Sequence, residues 1–506
     1  MASAPSTPRF GGFDRAILTR DVAASFVVFL VALPLCLGIA IASGVPAELG
    51  LITGIIGGIV VGSLAGSPLQ VSGPAAGLAV LVFDLVQRHG LAALGPVVLL
   101  AGAVQLVAGM ARLGQWFRAV SPAVVHGMLA GIGALIVVQQ AHVLIDGQPR
   151  NGGLANLAAI PEAFLGLEDN RALALIIGVV TIIAMVGWDK LKPAALKLIP
   201  GALIGVLAGT LLAMGGGFAV KRIDLPENML SSIGFNGVAN IGMLADPALI
   251  GIALALGFIA SAETLLSAAA VDRMQDHTKA KFNKELGAQG IGNILCGLFG
   301  AMPMTGVIVR SSANVQAGAM TRISAILHGV WLLAFVALLP MVLAQVPTAA
   351  LAGVLVVTGV KLVKVDAVRD LFVRYGALPA LVWVATFVLV VTVDLLTGVL
   401  VGLALASLEM LPHIKRLGLQ VRQPNDEALV LDGTATAVSV PRLAETLDRL
   451  PGGPRLSVDV SRLRYMDHTA SELLTEALRQ LKRKGTDVRL EHGGTPQHHQ
   501  LAQALA

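Results

Sequence analysis

Long apolar stretches separated by short polar turns extend from about residue 21 to residue 411. The hydrocarbon core of a bilayer is about 30 Å thick and needs about 20 apolar residues per helix, or fewer where a helix is broken. Because 55% of the residues are hydrophobic, only 13% are charged and the mean hydropathy is +0.80, water is not the solvent for most of this chain. The pattern predicts a polytopic α-helical membrane protein.

This length criterion predicts fourteen transmembrane segments. The last apolar stretch, Ala377 to Leu411, is too long for one span, so it is predicted to form two short helices that meet near Asp394. The other predicted segments are 21–43, 48–66, 74–87, 91–111, 119–142, 172–188, 194–214, 247–270, 286–300, 307–319, 323–345 and 348–363.

Lysines and arginines concentrate at the segment ends that face the cytoplasm if the N-terminus lies inside. The positive-inside rule therefore favours two cytoplasmic termini, with the polar loops near 143–170 and 215–246 outside. Residues 1–20 are polar and lack the apolar core and cleavage site of a signal peptide. We expect a multi-pass protein of a bacterial-type inner (plasma) membrane.

One arginine, Arg310, falls at predicted membrane depth in a stretch where Pro303 and Gly306 interrupt the helix. An arginine in the hydrocarbon costs several kcal/mol unless it faces a cavity or a partner. A half-helix that begins after this break would offer unpaired N–H groups and its positive dipole end to an anion. The alternative is an arginine that extends to the interface or braces two helices.

An apolar segment interrupted by proline and glycine occurs twice in the chain. Residues 50–77 and 287–306 are both glycine-rich segments that lead into a proline and then a Ser-Gly or Thr-Gly step. Interrupted apolar segments at corresponding places in two halves point to a transporter site between inverted repeats. Two unrelated helices rich in Pro and Gly are the alternative.

Glu263 and Ser267 lie one turn apart on the same face of the predicted eighth span. A carboxylate there is costly unless it is protonated or paired, so the two residues form a candidate proton or sodium site. The alternative is a fixed structural brace between Glu263 and Arg310. Asp84 and Asp394 lie nearer to span ends, where interfacial solvation explains them.

Beyond about Pro412 the composition changes to that of a small soluble domain. Predicted strands at 429–433, 455–461 and 487–492 alternate with helices at 440–450 and 469–484, which indicates an α/β domain. Cys36 and Cys296 fall in apolar segments, and His492, His498 and His499 lack regular ligand spacing, so no metal site is expected.

The charge and motif pattern excludes other classes. The net charge of +5 comes from basic residues at segment ends, so nucleic acid is not an expected partner. The chain contains no phosphate-binding Gly-Lys-Ser/Thr loop that would support ATP drive. We expect no enzyme and no cofactor beyond a coupling H⁺ or Na⁺.

Five motifs together resemble the sulfate permease (SulP) family of anion transporters, which includes relatives of pendrin and prestin. They are ALPLCLGIAIASGVP (32–46), VSGPAAG (71–77), ASAETLLS (260–267), MTGVIVRSSANVQAGAMTRIS (304–324) and SVDVSRLRYMDHTASELL (457–474).

This resemblance implies 14 transmembrane segments in 7+7 inverted repeats and a C-terminal STAS domain. The implied divisions are a cytoplasmic N-terminal segment (1–20), a transport domain (21–411) and the STAS domain with its tail (412–506). Spans 1–4 and 8–11 would form a substrate-carrying core, and spans 5–7 and 12–14 a gate. A homodimer is expected, with further cytoplasmic proteins as possible STAS partners.

The implied function is secondary active transport of sulfate, bicarbonate or dicarboxylate by alternating access, driven by protons or sodium. The substrate would lie between the half-helices of spans 3 and 10, and Glu263 and Ser267 would hold the coupling ion. The expected substrate-binding residues are Gly73, Ala75, Ala76, Thr305, Gly306, Val307 and Arg310.

Two positions depart from the family pattern. Many members have Gln after the proline of the first helix, whereas Leu35 follows Pro34 here, so one polar substrate contact is missing. Soluble STAS relatives carry a phosphorylatable serine after an aspartate, whereas His468 follows Asp467 here, which excludes serine phosphorylation at that position.

Three other functions remain open at this point. A nucleobase permease shares the fold and a comparable eighth-span glutamate, but it gives Arg310 no obvious role. An anion channel or a voltage-responsive motor would not accumulate its anion against a gradient. A signalling membrane protein, whose STAS domain binds partners, would show no flux.

Overall fold

The computed structural model describes residues 15–150, 152–165, 169–196, 198–224, 236–275, 278–408, 418–425, 427–450, 453–483, 485–491 and 501–502. The predicted boundary near Pro412 and the C-terminal His492, His498 and His499 lie outside these ranges.

The membrane part consists of helices and one pair of very short strands. Its first half contains α1 (Arg15–Ala42), α2 (Ala47–Ile56), α3 (Gly62–Leu64), β1 (Ser72–Pro74), α4 (Ala76–His89), α5 (Leu94–Met110), α6 (Pro122–Val143), α7 (Gly153–Leu165), α8 (Asp169–Leu191), α9 (Gly201–Gly215) and α10 (Asn236–Ala239). Its second half contains α11 (Pro247–Met274), α12 (Phe282–Leu298), β2 (Met304–Gly306), α13 (Ile308–Gln316), α14 (Ile323–Leu338), α15 (Pro340–Leu343), α16 (Thr348–Leu362), α17 (Val365–Tyr375), α18 (Ala377–Thr392) and α19 (Leu395–Leu408).

Every predicted span overlaps a helix of this series. By length and apolar composition, six of the described helices can cross a membrane, and a set of shorter apolar helices accompanies them. The count of fourteen spans therefore stays a prediction. The break near Asp394 is confirmed, because α18 ends at Thr392 and α19 begins at Leu395. The Asp394 carboxylate accepts hydrogen bonds from the backbone N–H and the hydroxyl of Thr397, which caps the start of α19.

Two helices lie where the sequence predicts polar connections. α7 occupies part of the loop predicted at 143–170, and α17 separates the predicted twelfth and thirteenth spans. Asn156 explains the position of α7, because its side chain exchanges hydrogen bonds with the backbone of Arg150 and also donates to the Gly152 carbonyl. The first of these two regions is thus an ordered helical segment and not an extended loop.

The strands β1 and β2 join the two halves of the membrane part. They pair antiparallel, with Ser72 opposite Gly306, Gly73 opposite Thr305 and Pro74 opposite Met304. Broken backbone at membrane depth must find internal hydrogen bonds, and this pairing supplies them. The antiparallel orientation supports the predicted inverted repeat, which remains a prediction.

The C-terminal domain is a small α/β unit, as predicted. Its sheet has the order β3 (Gly418–Asn425), β4 (Ala428–Ala435), β5 (Arg455–Met466) and β6 (Asp487–Glu491). The first pair is antiparallel and the other two are parallel. Parallel neighbours need crossover connections, which α20 (Val440–Arg449) and α21 (His468–Arg483) provide.

Candidate anion-binding site

A cavity of about 810 Å³ extends from the ends of β1 and β2 to the small C-terminal domain. One side is formed by α1, α4, α11 and the residues around β2, and the other side by α6, α9 and α16. The first group belongs to the predicted core and the second to the predicted gate. The cavity therefore lies at the boundary across which alternating access would move the two.

Two half-helices begin on the wall of this cavity. α4 starts after Ala75 and α13 starts after Val307, and in both helices no side chain caps the first turn. The first turns of α-helices carry N–H groups without intrahelical partners and the positive end of the helix dipole. Ala75, Ala76, Thr305, Gly306 and Val307 all line the cavity.

Glu263 faces these half-helices from α11. Its carboxylate lies against Gly77 in the first turn of α4, where a side-chain carbon would overlap it. Thr305 of β2 also lies close to this carboxylate. Ser267 lies one turn further along α11 and also lines the cavity. The two residues predicted to hold a coupling ion thus share a wall with the two helix ends.

Arg310 and Gly73 lie behind this wall. The Arg310 side chain is 0% exposed and does not border the cavity. Its guanidinium lies beside the Cys36 thiol and directly against Gly73. Among the described residues, the three guanidinium nitrogens have no hydrogen-bond acceptor. Arg310 therefore lies outside the cavity lining, with β1 between its guanidinium and the cavity.

The described residues do not form the fixed brace between Glu263 and Arg310 that the sequence left as an alternative. Glu263 is on the cavity side of the strand pair, Arg310 is on the far side, and no ion pair joins them among the described residues. The carboxylate is therefore available to ligands that enter the cavity.

A polar network on α12 was not anticipated from the sequence. The Glu285 carboxylate accepts hydrogen bonds at 2.8 Å from the backbone N–H groups of both Gly66 and Ser67. Gln289 donates to Ser72 of β1, and Asn293 donates to and accepts from the backbone of Met304 in β2. The spacing of these polar residues, every fourth position on one helix face, was the available signal. The network fixes both strands from behind.

The end of the cavity next to the small domain carries charges of both signs, since Asp272, Glu472 and Glu476 line it together with several cations, and it is closed by that domain. Its rim contains Arg273, Lys279, Lys361 and Lys364, and α21 of the small domain lies across it. On the predicted gate, the Ser121 hydroxyl lies 2.8 Å from Nε2 of His468 at the start of α21. On the predicted core, Arg273 pairs with Glu476 at 3.7 Å.

Asp467 positions the start of α21. Its carboxylate accepts the backbone N–H groups of Ala437 and Ala470, so it caps the helix and holds the neighbouring connection. No group of three or more His, Cys, Asp or Glu residues in the described ranges can hold a metal ion.

The membrane part and the small domain each match a family model. Residues 18–386 match the model of the sulfate permease family. The chain belongs to the sulfate permease family. Residues 419–506 match the STAS domain model described as "Mlab, STAS domain". Both matches confirm the resemblance drawn from the sequence motifs.

Relatives of known structure and name cover most of the chain. The bicarbonate transporter BicA of Picosynechococcus sp. is 28% identical over 417 residues, 78% of this chain and 71% of the relative. The solved transmembrane domain of a cyanobacterial BicA matches 77% of this chain and 97% of that one, with a TM-score of 0.65 and 26% identity. The structure of SLC26A9 matches 97% of this chain and 86% of the SLC26A9 chain, with a TM-score of 0.68. Because the identity is 15%, this similarity shows the fold alone.

These similarities confirm a helical membrane transporter fold with a C-terminal STAS domain. They also confirm that the chain is a transporter and not an enzyme, because its family consists of transporters. Its relatives transport anions, and the cavity is therefore considered as an anion-binding site.

Proposed function

We propose that this protein is a secondary active transporter of anions of the sulfate, bicarbonate or dicarboxylate class, driven by a proton or sodium gradient. The single observation that carries the proposal is the presence of two uncapped half-helix starts on one cavity wall. Such helix ends bind anions through their free N–H groups and dipoles.

Arg310 adds long-range attraction to this site. A unit charge that is fully buried acts through a low effective dielectric, so its potential at the strand pair is screened less than that of a surface arginine. Because its nitrogens have no acceptor among the described residues, no neighbouring carboxylate cancels the charge. The anion thus meets a positive potential without a direct salt bridge, which favours release as well as binding.

Glu263 couples the anion to a cation. When ionised, its carboxylate lies at the positive end of α4 and competes with the anion for that end. When protonated, it leaves the helix end to the anion, so proton and anion bind together. A sodium ion held by Glu263 and Ser267 would neutralise the carboxylate in the same way. We favour the proton, because the further sodium ligands that the described residues offer beside Glu263 are uncharged, namely the hydroxyls of Ser267 and Thr305 and backbone carbonyls.

Transport then follows from motion of the core against the gate. Helices of the predicted core pack mainly on one another, as α5 does on α12 and α11, and those of the predicted gate do the same, as α6 does on α16 and α18. The cavity separates the two groups. We also propose a homodimer in a bacterial plasma membrane, with both termini and the STAS domain in the cytoplasm and further proteins binding that domain.

The test is accumulation by Glu263→Gln in proteoliposomes under an imposed proton gradient and, separately, a sodium gradient. We expect gradient-driven accumulation to be lost while exchange of anion for anion survives, because the variant keeps the shape and loses the titratable charge. Glu162→Gln is the matched control, since Glu162 is a largely exposed residue on α7. An unchanged response of Glu263→Gln to both gradients would rule out the coupling role.

A further inference from the structure

We infer that the site between the half-helices takes a monovalent anion with an apolar body, a carboxylate or sulfonate, in preference to a divalent inorganic anion. This inference rests on the anion site proposed above and ranks substrates at that site, with monovalent organic anions ahead of the divalent sulfate and dicarboxylates named there. It is drawn from the cavity wall, from the place of the charges and from the size of the cavity.

The cavity wall next to the half-helices is apolar where α1 forms it. Val31, Leu35 and Ile39 recur at every fourth residue of α1 and line the cavity together as one stripe. The neighbouring Cys36 lies beside the Arg310 guanidinium, which places this turn of α1 at the depth of the strand pair. Leu129 from α6 and Val354 from α16 add apolar side chains from the predicted gate.

No cation borders the inner end of the cavity among the described residues. Arg310 is separated from it by β1, and the lining cations Arg273, Lys279, Lys361 and Lys364 belong to the cytoplasmic rim. Along α11, Arg273 is ten residues from Glu263, which corresponds to about 15 Å. An anion at the half-helices is therefore held by N–H groups and dipoles, without a partner of full charge.

This arrangement penalises a second negative charge. The Born cost of moving an ion into a low-dielectric site rises with the square of its charge, whereas its attraction to a helix dipole rises only in proportion to that charge. Repulsion by an ionised Glu263 also doubles for a divalent anion. A monovalent anion thus loses less solvation free energy on entering the site than a divalent anion does. An apolar body adds favourable burial free energy where it covers the stripe on α1.

The dimensions agree with an organic substrate. The cavity of about 810 Å³ includes its cytoplasmic end and exceeds what a five-atom anion fills. Cavities that hold organic ligands measure about 300–1,000 Å³ and are lined mainly by apolar side chains with a few polar groups. Here His126, Glu263, Ser267, Thr305 and Thr358 are the polar side chains in the lining apart from the charged rim and the small domain.

Methanesulfonate and sulfate provide a matched pair of probes. Both are tetrahedral, and one methyl group replaces one charged oxygen, so they differ in charge and polarity at nearly constant shape. Neither crosses a bilayer as a neutral acid, and both carry the same radioactive sulfur label. Benzenesulfonate extends the series with a larger apolar body. Uptake of all three is measured with the full-length protein in liposomes at equal concentration and identical gradients.

We expect methanesulfonate and benzenesulfonate to be taken up at least about tenfold more efficiently than sulfate. Leu35→Gln places an amide donor on the stripe and should lower this ratio about tenfold, whereas Leu35→Met keeps the stripe apolar and should leave it unchanged. Equal or better uptake of sulfate by the unmodified protein overturns the inference while anion transport stands. If Leu35→Gln leaves the ratio of sulfonate uptake to sulfate uptake unchanged, the role of the stripe is overturned. Absence of flux for every anion rejects the proposed function, and this inference with it.

Discussion

The Arg310 guanidinium lies directly against the backbone of Gly73, with no space for a side-chain carbon between them. Gly73 is the central residue of β1, and it pairs with Thr305 of β2. The absence of a side chain thus lets a fully buried cation approach the strand pair from behind, while the anion cavity lies in front of it. The charge is placed by close packing, since no hydrogen bond to it is formed among the described residues.

Gly73→Ala should therefore displace the guanidinium and reduce anion uptake. Overpacking of this kind costs about 1–3 kcal/mol, and moving the charge away weakens the potential at the site. Uptake in proteoliposomes should fall several-fold while the variant still purifies as a monodisperse protein. Gly251→Ala on α11 is the control, because a side-chain carbon there meets nothing within 4 Å. Equal uptake by the two variants would contradict the role of this contact.

Arg310→Ala should separate function from stability. A buried cation without acceptors is costly to fold, so its removal should leave the thermal unfolding temperature in detergent unchanged or raised, despite the cavity that it creates. Anion uptake and anion preference should be lost, because the positive potential disappears. Arg310→Lys keeps the charge and should retain part of the uptake. An Arg310→Ala variant with unaltered uptake would remove Arg310 from the mechanism.

The sequence predicted the helices well because bilayer thickness dictates their length. Each predicted span overlaps a helix, and the break near Asp394 was placed correctly, since a 35-residue apolar stretch exceeds one span and has Asp394 at its middle. α7 was missed because the Asn156 hydrogen bonds that order its start are made between a side chain and the preceding backbone, and apolar periodicity does not reveal such bonds.

The sequence located the helix breaks beside the cavity, but it did not show which side chains line the cavity. Pro and Gly breaks located both half-helices, yet nothing in the sequence says on which side of the strand pair a side chain lies. The expected substrate residue Arg310 is therefore behind the wall, while Glu263 lies on it. The network of Glu285 was overlooked because a lone acidic residue near a span end is usually assigned to interfacial solvation.

Glu285 should be a stability determinant of the anion site. Glu285→Ala leaves the buried N–H groups of Gly66 and Ser67 without an acceptor, and hydrogen bonds to a charged group contribute about 1.5–3 kcal/mol each. The unfolding temperature in detergent should drop clearly. Glu285→Gln keeps one acceptor oxygen and should recover much of the loss, because both N–H groups donate to a single carboxylate oxygen. Identical unfolding of the alanine variant and the unmodified protein would refute this.

Contacts of the STAS helix α21 should slow the motion of the core against the gate. α21 contacts Ser121 at the start of α6, on the predicted gate, through His468. It contacts the end of α11, on the predicted core, where Gln480 donates to the Asp272 carbonyl and Glu476 pairs with Arg273. One rigid helix attached to both parts resists their relative displacement.

Removing one attachment should therefore raise the turnover rate without changing anion affinity. A typical hydrogen bond contributes about 0.5–1.5 kcal/mol, so Ser121→Ala and His468→Ala should each speed exchange about two- to tenfold if the contact persists in one end state and is broken on the way to the other. Because both variants remove the Ser121–His468 contact, the double variant should be no faster than His468→Ala, which also removes the ring contact with Tyr375. Additive effects would show that the two side chains act through separate contacts, and a lower apparent affinity in either variant would show an effect on the anion site. Exchange rates and half-saturation concentrations measured on all three variants decide between these outcomes.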